Sequence, residues 1–278
     1  MRICAQNAII LRAFFPTFTN IFPHHFIATV NEEGKVAGGM ADPKVCVTLD
    51  GTTIEEMTDE AARANLAGAD IVEVRFDRMY LIKPDLTIAD EEEGERVEMP
   101  AEKDWETSDM SSVDIDASIA ALKEGITLPV IFTVRPVSEG GFFPGVESER
   151  LEILQKAIDS SVSWVDLELS IEESKRNTLK ESAEKNGCKI VASKHDINGV
   201  PDAETIASLV RDNQGAGDVV KFCGTARGHE DALQIIEAAT ELTGDGLNHS
   251  LMALNSGGDW PRLHAVSYTH LRAHETSA

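Results

Sequence analysis

The sequence has few cysteines, few basic residues and no long apolar run. Its four cysteines are scattered through 278 residues, without a Cys-x-x-Cys pair or a histidine at ligand spacing, so neither a disulfide framework nor a metal site is indicated. Lys and Arg number 25 against 48 Asp and Glu, and the net charge of −23 disfavours nucleic acid and anionic membranes as partners. No apolar stretch approaches the length of a membrane span. These absences favour a cytoplasmic protein.

The two ends of the chain differ in composition from the rest. Residues 1–39 carry an apolar part that an arginine and two prolines interrupt, and they lack a clear cleavage site, so a signal peptide is not indicated. We interpret them as a miscalled extension before a start at Met40. Residues 265–278 contain "VSYTHLRAHET", which has no periodicity and resembles a translated sequencing adapter. We interpret them as an artefact, which leaves 40–264 as the folded domain.

Short apolar runs alternate with amphipathic segments through this domain. The predicted strands are 44–49, 70–76, 129–134, 164–169, 189–193, 218–223 and 250–255. The predicted helices are 53–66, 114–124, 147–159, 171–186, 203–213 and 228–242. Continuously apolar strands separated by helices indicate an α/β fold with a parallel sheet. The regular spacing, without a Gly-x-Gly-x-x-Gly motif, favours a (β/α)8 TIM-type barrel over a doubly wound sheet. No eighth strand is evident, so the barrel is predicted to be truncated after its seventh strand.

Two local features carry separate predictions. Residues 85–109 hold eleven acidic and two basic residues, which is typical of a solvated loop, here an acidic insertion between the second strand and its helix. Ser170, followed three residues later by Glu173, predicts a capping box at the start of a helix.

Polar residues stand at the carboxyl ends of the predicted strands, where the chemistry of such barrels takes place. They are Thr48, Glu73, Arg75, Asp77, Arg135, Glu139, Asp166, Glu168, His195 and Lys221. Each alone is explained by a structural ion pair or a packed histidine. Two arginines, a histidine and a lysine meeting at one mouth would repel one another unless carboxylates and an anionic substrate balanced them.

Lys221, which lies within the apolar run "DVVKFC", is the most specific indication of chemistry among these residues. A lone lysine is most often solvated, but burial among other cations favours the neutral amine. A neutral amine attacks a ketone and forms a Schiff base, which makes the neighbouring C–H acidic. His195, one strand earlier, is then placed as a general acid/base. This pattern of residues is consistent with both an elimination and an aldol reaction.

The ordered set "VTLDG", "DIVEVRFDRM", "FTVRPVSEGG", "VDLEL", "SKHD" and "VVKFCG" resembles the type I 3-dehydroquinate dehydratases of the shikimate pathway, over about residues 44–257. The resemblance implies dehydration of 3-dehydroquinate to 3-dehydroshikimate without a metal or organic cofactor, commonly by a homodimer. It implies that Lys221 forms the Schiff base, that His195 is the general acid/base and that Glu139 orients or tunes His195. Substrate binding falls to a further set: Thr48, Glu73, Arg75, Arg135 and, near a damaged seventh-strand motif, Arg262.

Two departures from the family pattern and three alternatives accompany this assignment. Lys194 stands beside His195 where an aromatic or another residue is frequent, and the last strand with its loop is missing. The alternatives are another Schiff-base barrel such as a class I aldolase, a non-catalytic truncated relic, and a longer chain fused to a shikimate dehydrogenase domain. On the relic reading, the present chain is inactive.

Overall fold

The computed structural model describes residues 44–84, 100–255 and 258. The interpreted N-terminal extension, the interpreted adapter segment and Arg262 lie outside these residues. Within the described part of the chain, no helix is both long and apolar enough to cross a membrane.

In the part of the chain that the structure describes, seven parallel strands form one sheet, and the predicted fold class is confirmed. In sheet order they are β1 (Cys46–Leu49), β2 (Ile71–Arg75), β5 (Val130–Thr133), β6 (Trp164–Glu168), β7 (Lys189–Asp196), β8 (Val219–Thr225) and β9 (His249–Leu254). Each strand pairs in parallel with the next one in this order. All seven were predicted from their apolar runs, with ends that differ by at most three residues. The short strands β3 (Leu81–Ile82) and β4 (Glu106–Thr107) form a separate pair.

The sheet is curled into most of a barrel. Lys221 on β8 and Glu73 on β2 are separated by three intervening strands, and a flat sheet would hold them about 19 Å apart at roughly 4.8 Å per strand. Instead, Lys221 Nζ lies 3.3 Å from Glu73 Oε2. The interior of the barrel also holds a buried apolar cluster from all seven strands: Cys46, Ile71, Ile131, Trp164, Val191, Val219, Cys223 and Met252.

Among the described residues, six α-helices cover the outside of the sheet. They are α1 (Ile54–Leu66), α2 (Ile115–Gly125), α3 (Glu147–Asp159), α4 (Glu173–Asn186), α5 (Ala203–Asp212) and α6 (His229–Glu241). Thr53, Asp114 and Asp202 cap α1, α2 and α5 by accepting a hydrogen bond from the backbone N–H three residues on. All six helices were predicted from the sequence.

The predicted capping box at the start of α4 is wrong. Glu172 takes the position before this helix, and its side chain makes no capping hydrogen bond. The Ser170 hydroxyl turns the other way and donates to Glu139 Oε1 at 2.5 Å. In a capping box the serine oxygen would accept from a backbone N–H, whereas here the hydroxyl donates to a carboxylate, and a hydrogen bond to an ionised group is shorter and stronger.

The acidic insertion is partly anchored rather than wholly solvated. Residues 85–99 lie outside the described part, but β4 (Glu106–Thr107) pairs antiparallel with β3 (Leu81–Ile82). The carboxylate of Glu102 accepts two hydrogen bonds from the buried guanidinium of Arg78, at 2.6 and 2.9 Å. The end of the insertion is therefore part of the packed structure.

Candidate active site

A pocket lies at the carboxyl ends of the parallel strands. It encloses about 450 Å³ of space open to solvent. Six residues predicted from strand ends line it: Thr48, Glu73, Arg75, Glu139, His195 and Lys221. The curling of the sheet brings them together from β1, β2, the segment after β5, β7 and β8. Arg262 lies outside the described residues.

Lys221 points into this pocket from the middle of β8. Its side chain is 4% exposed, and Nζ lies 3.3 Å from Glu73 Oε2 and 3.7 Å from Asp166 Oδ2. Burial would raise the pKa of Glu73, but Lys221, then Arg135 and Arg75, lower it to about 2. Thr48 and Thr133 donate hydrogen bonds to the same carboxylate at 2.8 and 2.9 Å. Glu73 is thus a fixed anion beside the amine.

His195 is held from below by a carboxylate. Glu139 Oε2 accepts the His195 backbone N–H at 2.8 Å and lies 3.2 Å from the ring atom Nδ1. Glu139 in turn accepts the Ser170 hydroxyl bond through its other oxygen. A carboxylate against Nδ1 favours the tautomer with the proton on Nδ1, which leaves Nε2 free as a base.

The charge around His195 keeps its imidazole neutral. Burial, followed by the nearby Arg135, Lys221, Arg75 and Lys194, holds the pKa of His195 well below its usual value of 6.5. The ring can therefore accept a proton at neutral pH. Lys194, noted as a departure from the family pattern, contributes in the same direction.

Arg75 is fixed at the pocket wall by Asp77. The carboxylate of Asp77 accepts from Arg75 Nε and Nη2 at 2.9 and 2.7 Å, and its pKa is lowered because Arg75 outweighs the effect of burial. The same carboxylate accepts the backbone N–H groups of Arg135 and Phe142. The Arg75 guanidinium also lies 6.0 Å from the centre of the Phe142 ring. Asp77 therefore fixes both the Arg75 guanidinium and the backbone of the loop that contains Arg135 and Phe142.

Arg135 lies beneath the pocket and is not among its lining residues. Its guanidinium contacts Asp166 at 2.7 Å and Glu168 at 2.6 Å, and it also donates to Ser193. These carboxylates, Asp166 before Glu168, overcome the effect of burial and raise the pKa of Arg135. Arg135 therefore balances the charges of the buried Asp166 and Glu168 carboxylates.

Sequence reasoning missed several contributors to the site. Cys223 and Thr225 line the pocket because they follow Lys221 at a spacing of two along β8 and so share its face. Ile197 and Leu254 supply apolar wall. Because side chains on one face of a strand recur every two residues, Cys223 and Thr225 could have been identified from the position of Lys221. Ile197 could not, because it lies beyond the end of β7. Within the described residues, no group of three or more potential ligands could hold a metal ion.

The backbone near Glu139 packs so closely at Gly141 that only glycine fits there. A Cβ on Gly141 would lie 2.1 Å from the Arg135 carbonyl oxygen, so Gly141→Ala must displace the segment that carries Glu139. We expect a loss of about 1–3 kcal/mol in the free energy of unfolding, measured by urea denaturation. Gly215→Ala is the matched control, because no atom lies within 4 Å of the added Cβ. Equal stabilities of the two variants would contradict this packing.

The sequence matches the family model described as type I 3-dehydroquinase over residues 45–259. The 3-dehydroquinate dehydratase of Methanopyrus kandleri is 31% identical over 194 residues, which cover 69% of this chain and 72% of that protein. That of Alkaliphilus oremlandii is 28% identical over 221 residues, covering 79% and 76%.

Solved structures are similar in fold. The 3-dehydroquinate dehydratase of Enterococcus faecalis aligns with a TM-score of 0.66 at 21% identity, covering 84% of this chain and 88% of that one. The type I enzyme of Clostridium difficile, crystallised with covalently modified comenic acid, aligns with a TM-score of 0.64 at 22% identity, covering 82% and 81%. Fold and sequence agree, and the chain belongs to the type I 3-dehydroquinase family.

Proposed function

We propose that the chain dehydrates 3-dehydroquinate to 3-dehydroshikimate in the shikimate pathway, through a Schiff base on Lys221. The observation that supports this most is the position of Lys221: a buried amine that opens into a pocket, with His195 on the wall of the same pocket. The family and the names of the relatives support the reaction. The covalent mechanism is our proposal from the geometry.

The first half of the reaction joins Lys221 to the substrate. The amine gives up a proton, and His195 on the wall of the same pocket is proposed to assist as the base, while the Glu73 carboxylate at 3.3 Å holds the nitrogen in place. Its lone pair then forms a bond to the C3 carbonyl carbon, and the carbonyl oxygen leaves as water after receiving protons. The product of this step is an iminium ion, which withdraws electrons from the neighbouring C2–H bond.

The second half is an elimination at His195. Its neutral imidazole takes the C2 proton, and the electrons of that bond pass toward the iminium nitrogen. They return to form the C1–C2 double bond as the C1 hydroxyl leaves, protonated by the same imidazole to give water. Hydrolysis of the iminium restores the free amine and releases 3-dehydroshikimate, so one water is lost overall.

The remaining assignments describe how the substrate is held. Arg75 borders the pocket with a side chain 17% exposed and is proposed to bind the carboxylate or a hydroxyl group, with Thr48 and Glu73 on the hydroxyls. Arg262 stays a prediction for carboxylate binding. Arg135 is proposed to act on the site through its charge, since its nitrogens are held by Asp166 and Glu168.

Several assignments stay proposals beside this one. They are the homodimer, the cytoplasmic location, the absence of a cofactor and the division of the chain at residues 40 and 264. Analytical ultracentrifugation of the full chain tests the homodimer directly.

Ser170 and Glu139 give a graded test of the His195 arrangement. Ser170→Ala removes one hydrogen bond to the ionised Glu139, and we expect kcat to fall roughly tenfold. Glu139→Gln removes the charge itself and is expected to cost more, because both the orientation and the stabilisation of the imidazolium are lost. Steady-state kinetics with 3-dehydroquinate measure both. A larger loss for Ser170→Ala than for Glu139→Gln would contradict this order of contacts.

The function is tested by incubating the full chain with 3-dehydroquinate and following the ultraviolet absorbance of the conjugated product. Release of one water per turnover, with no carbon–carbon cleavage product, supports the dehydratase. Cleavage into two carbonyl fragments would instead identify an aldolase. Absence of both reactions from a folded chain would contradict the proposal for this polypeptide.

A further inference from the structure

The parallel pairing between β5 and β6 is shorter than that between the next two strands. The register joins Ile131 to Trp164 and Phe132 to Val165, and then ends. β6 and β7, by comparison, stay paired as far as Glu168 and Ser193. The upper parts of β5 and β6 therefore separate at the level of the buried charges beneath the pocket.

One side chain spans this gap from outside the barrel. Arg150 belongs to α3, is 1% exposed, and directs Nη1 to the Val134 carbonyl oxygen at 2.8 Å and to Glu168 Oε2 at 2.6 Å. Val134 directly precedes Arg135 at the end of β5, and Glu168 ends β6. The guanidinium thus connects the two strands where their backbone pairing has stopped.

The other edge of the Arg150 guanidinium is held at the surface. Glu147 accepts from Nε and Nη2, each at 2.8 Å, and is 46% exposed. Charges of alternating sign then lead inward from Glu147 through Arg150 to Glu168, Arg135, Asp166 and finally Lys221. Glu168 is shared between two guanidinium groups, with Arg135 on Oε1 and Arg150 on Oε2, both at 2.6 Å.

We propose that Arg150 is a positioning residue for the active site: it bridges the separated ends of β5 and β6, and holds Glu168 and Arg135 in place beneath Lys221. This inference rests on the proposed function, because its consequence is a correctly placed Lys221 and His195. Arg150 reaches no pocket residue itself and acts only through Glu168 and the peptide that precedes Arg135.

The charge state of Glu168 reports on this bridge. Burial raises its pKa to about 7, with Asp166 acting in the same direction, although Arg135 and Arg150 oppose the shift. The charged groups that face it are those two arginines and Asp166; Ser193 on β7 contacts Arg135 and Asp166 beside it. Removing one of the two contacting cations makes the carboxylate harder to ionise. Loss of Arg150 should therefore move its titration to higher pH.

Three variants of the full chain test the proposal. Arg150→Met removes the charge and the bridge, Arg150→Lys keeps the charge with fewer donors, and Glu147→Gln changes only the outer contact. The Glu168 carboxyl is followed by ¹³C NMR during a pH titration without substrate, with Glu168→Gln to assign the signal. The same proteins are assayed for kcat/KM against pH, and circular dichroism checks their folding.

For Arg150→Met we expect the Glu168 titration to move up by at least about one pH unit, a tenfold change in proton affinity. The acid limb of kcat/KM should move up with it, and kcat/KM below pH 7 should fall by about 10²-fold, as for a displaced catalytic group. Arg150→Lys should recover part of both shifts, and Glu147→Gln should cause neither. If Arg150→Met does not fold, the lysine variant carries the test with a smaller shift in the same direction.

Unchanged Glu168 titration in the arginine variants would overturn the proposal. So would a stability loss with a pH profile of native shape, because that result describes a structural arginine only. A Glu147→Gln shift equal to that of Arg150→Met would place the effect at the surface instead. The NMR titration needs no substrate, so an inactive native chain contradicts the proposed function while leaving the bridge tested.

Discussion

Lys221→Met is expected to abolish turnover of 3-dehydroquinate, with a loss in kcat of at least about 10⁴-fold. Methionine keeps most of the apolar stem and removes the only atom that can bond to the ketone carbon. Binding of the substrate should be less affected, since Arg75 and Thr48 remain on the pocket wall. The measurement is steady-state kinetics, with substrate affinity from calorimetry.

A matched variant separates the loss of the nucleophile from a general loss of lysine. Lys189→Met makes the same change at the start of β7, at the opposite end of the barrel, where the ammonium lies 5.1 Å from the Trp164 ring. This variant should keep its activity. Substantial turnover by Lys221→Met, with native activity in the control, would contradict covalent catalysis by Lys221.

His195→Asn is expected to lower kcat by roughly 10²- to 10⁴-fold, the usual contribution of a positioned general base. Asparagine keeps a polar side chain beside Glu139 but cannot take the C2 proton. In the native chain the lowered pKa of His195 keeps the imidazole unprotonated as the pH falls below 6.5. We therefore expect His195 to add no acid limb to kcat/KM between pH 7 and pH 6.5, so that a fall in this range comes from Glu168, whose pKa is raised to about 7.

His249 offers the control for this substitution. It is a half-buried histidine whose pKa is also lowered, mainly by desolvation, but it stands at the first residue of β9, away from the pocket. His249→Asn should leave the rate and its pH dependence as they are. A rate loss in His249→Asn as large as that in His195→Asn would point to stability rather than to proton transfer.

The fold could be predicted from the sequence because its signals are local. Apolar runs such as "DIVEVRF" and "WVDLEL" fix strands within a few residues, and their alternation with amphipathic segments favours one topology. The convergence of Lys221, His195 and Glu73 near one mouth also follows from this reading, since parallel strands end at the same edge of the sheet. The resemblance to type I dehydroquinate dehydratases is confirmed by the family match.

The contacts among charged groups could not be predicted in the same way. Nothing in the sequence pairs Lys221 with Glu73, because their 3.3 Å separation depends on how tightly the sheet curls. Ser170 illustrates a second limit: the local pattern predicts a helix cap, whereas a carboxylate 31 residues earlier in the chain takes its hydroxyl. The sequence gives no indication of the role of Arg150, because it is one arginine on a predicted surface helix. Its contacts with Val134 and Glu168 arise only from the packing of α3 over the end of β5.

The central claim, that Lys221 bonds covalently to the substrate, is tested most directly by reductive trapping. The full chain is incubated with 3-dehydroquinate and borohydride, and the adduct is mapped by mass spectrometry after proteolysis. The account predicts one reduced adduct on the peptide that contains Lys221, and none in Lys221→Met. A folded, substrate-binding chain that forms no adduct, or forms it on another lysine, would contradict it.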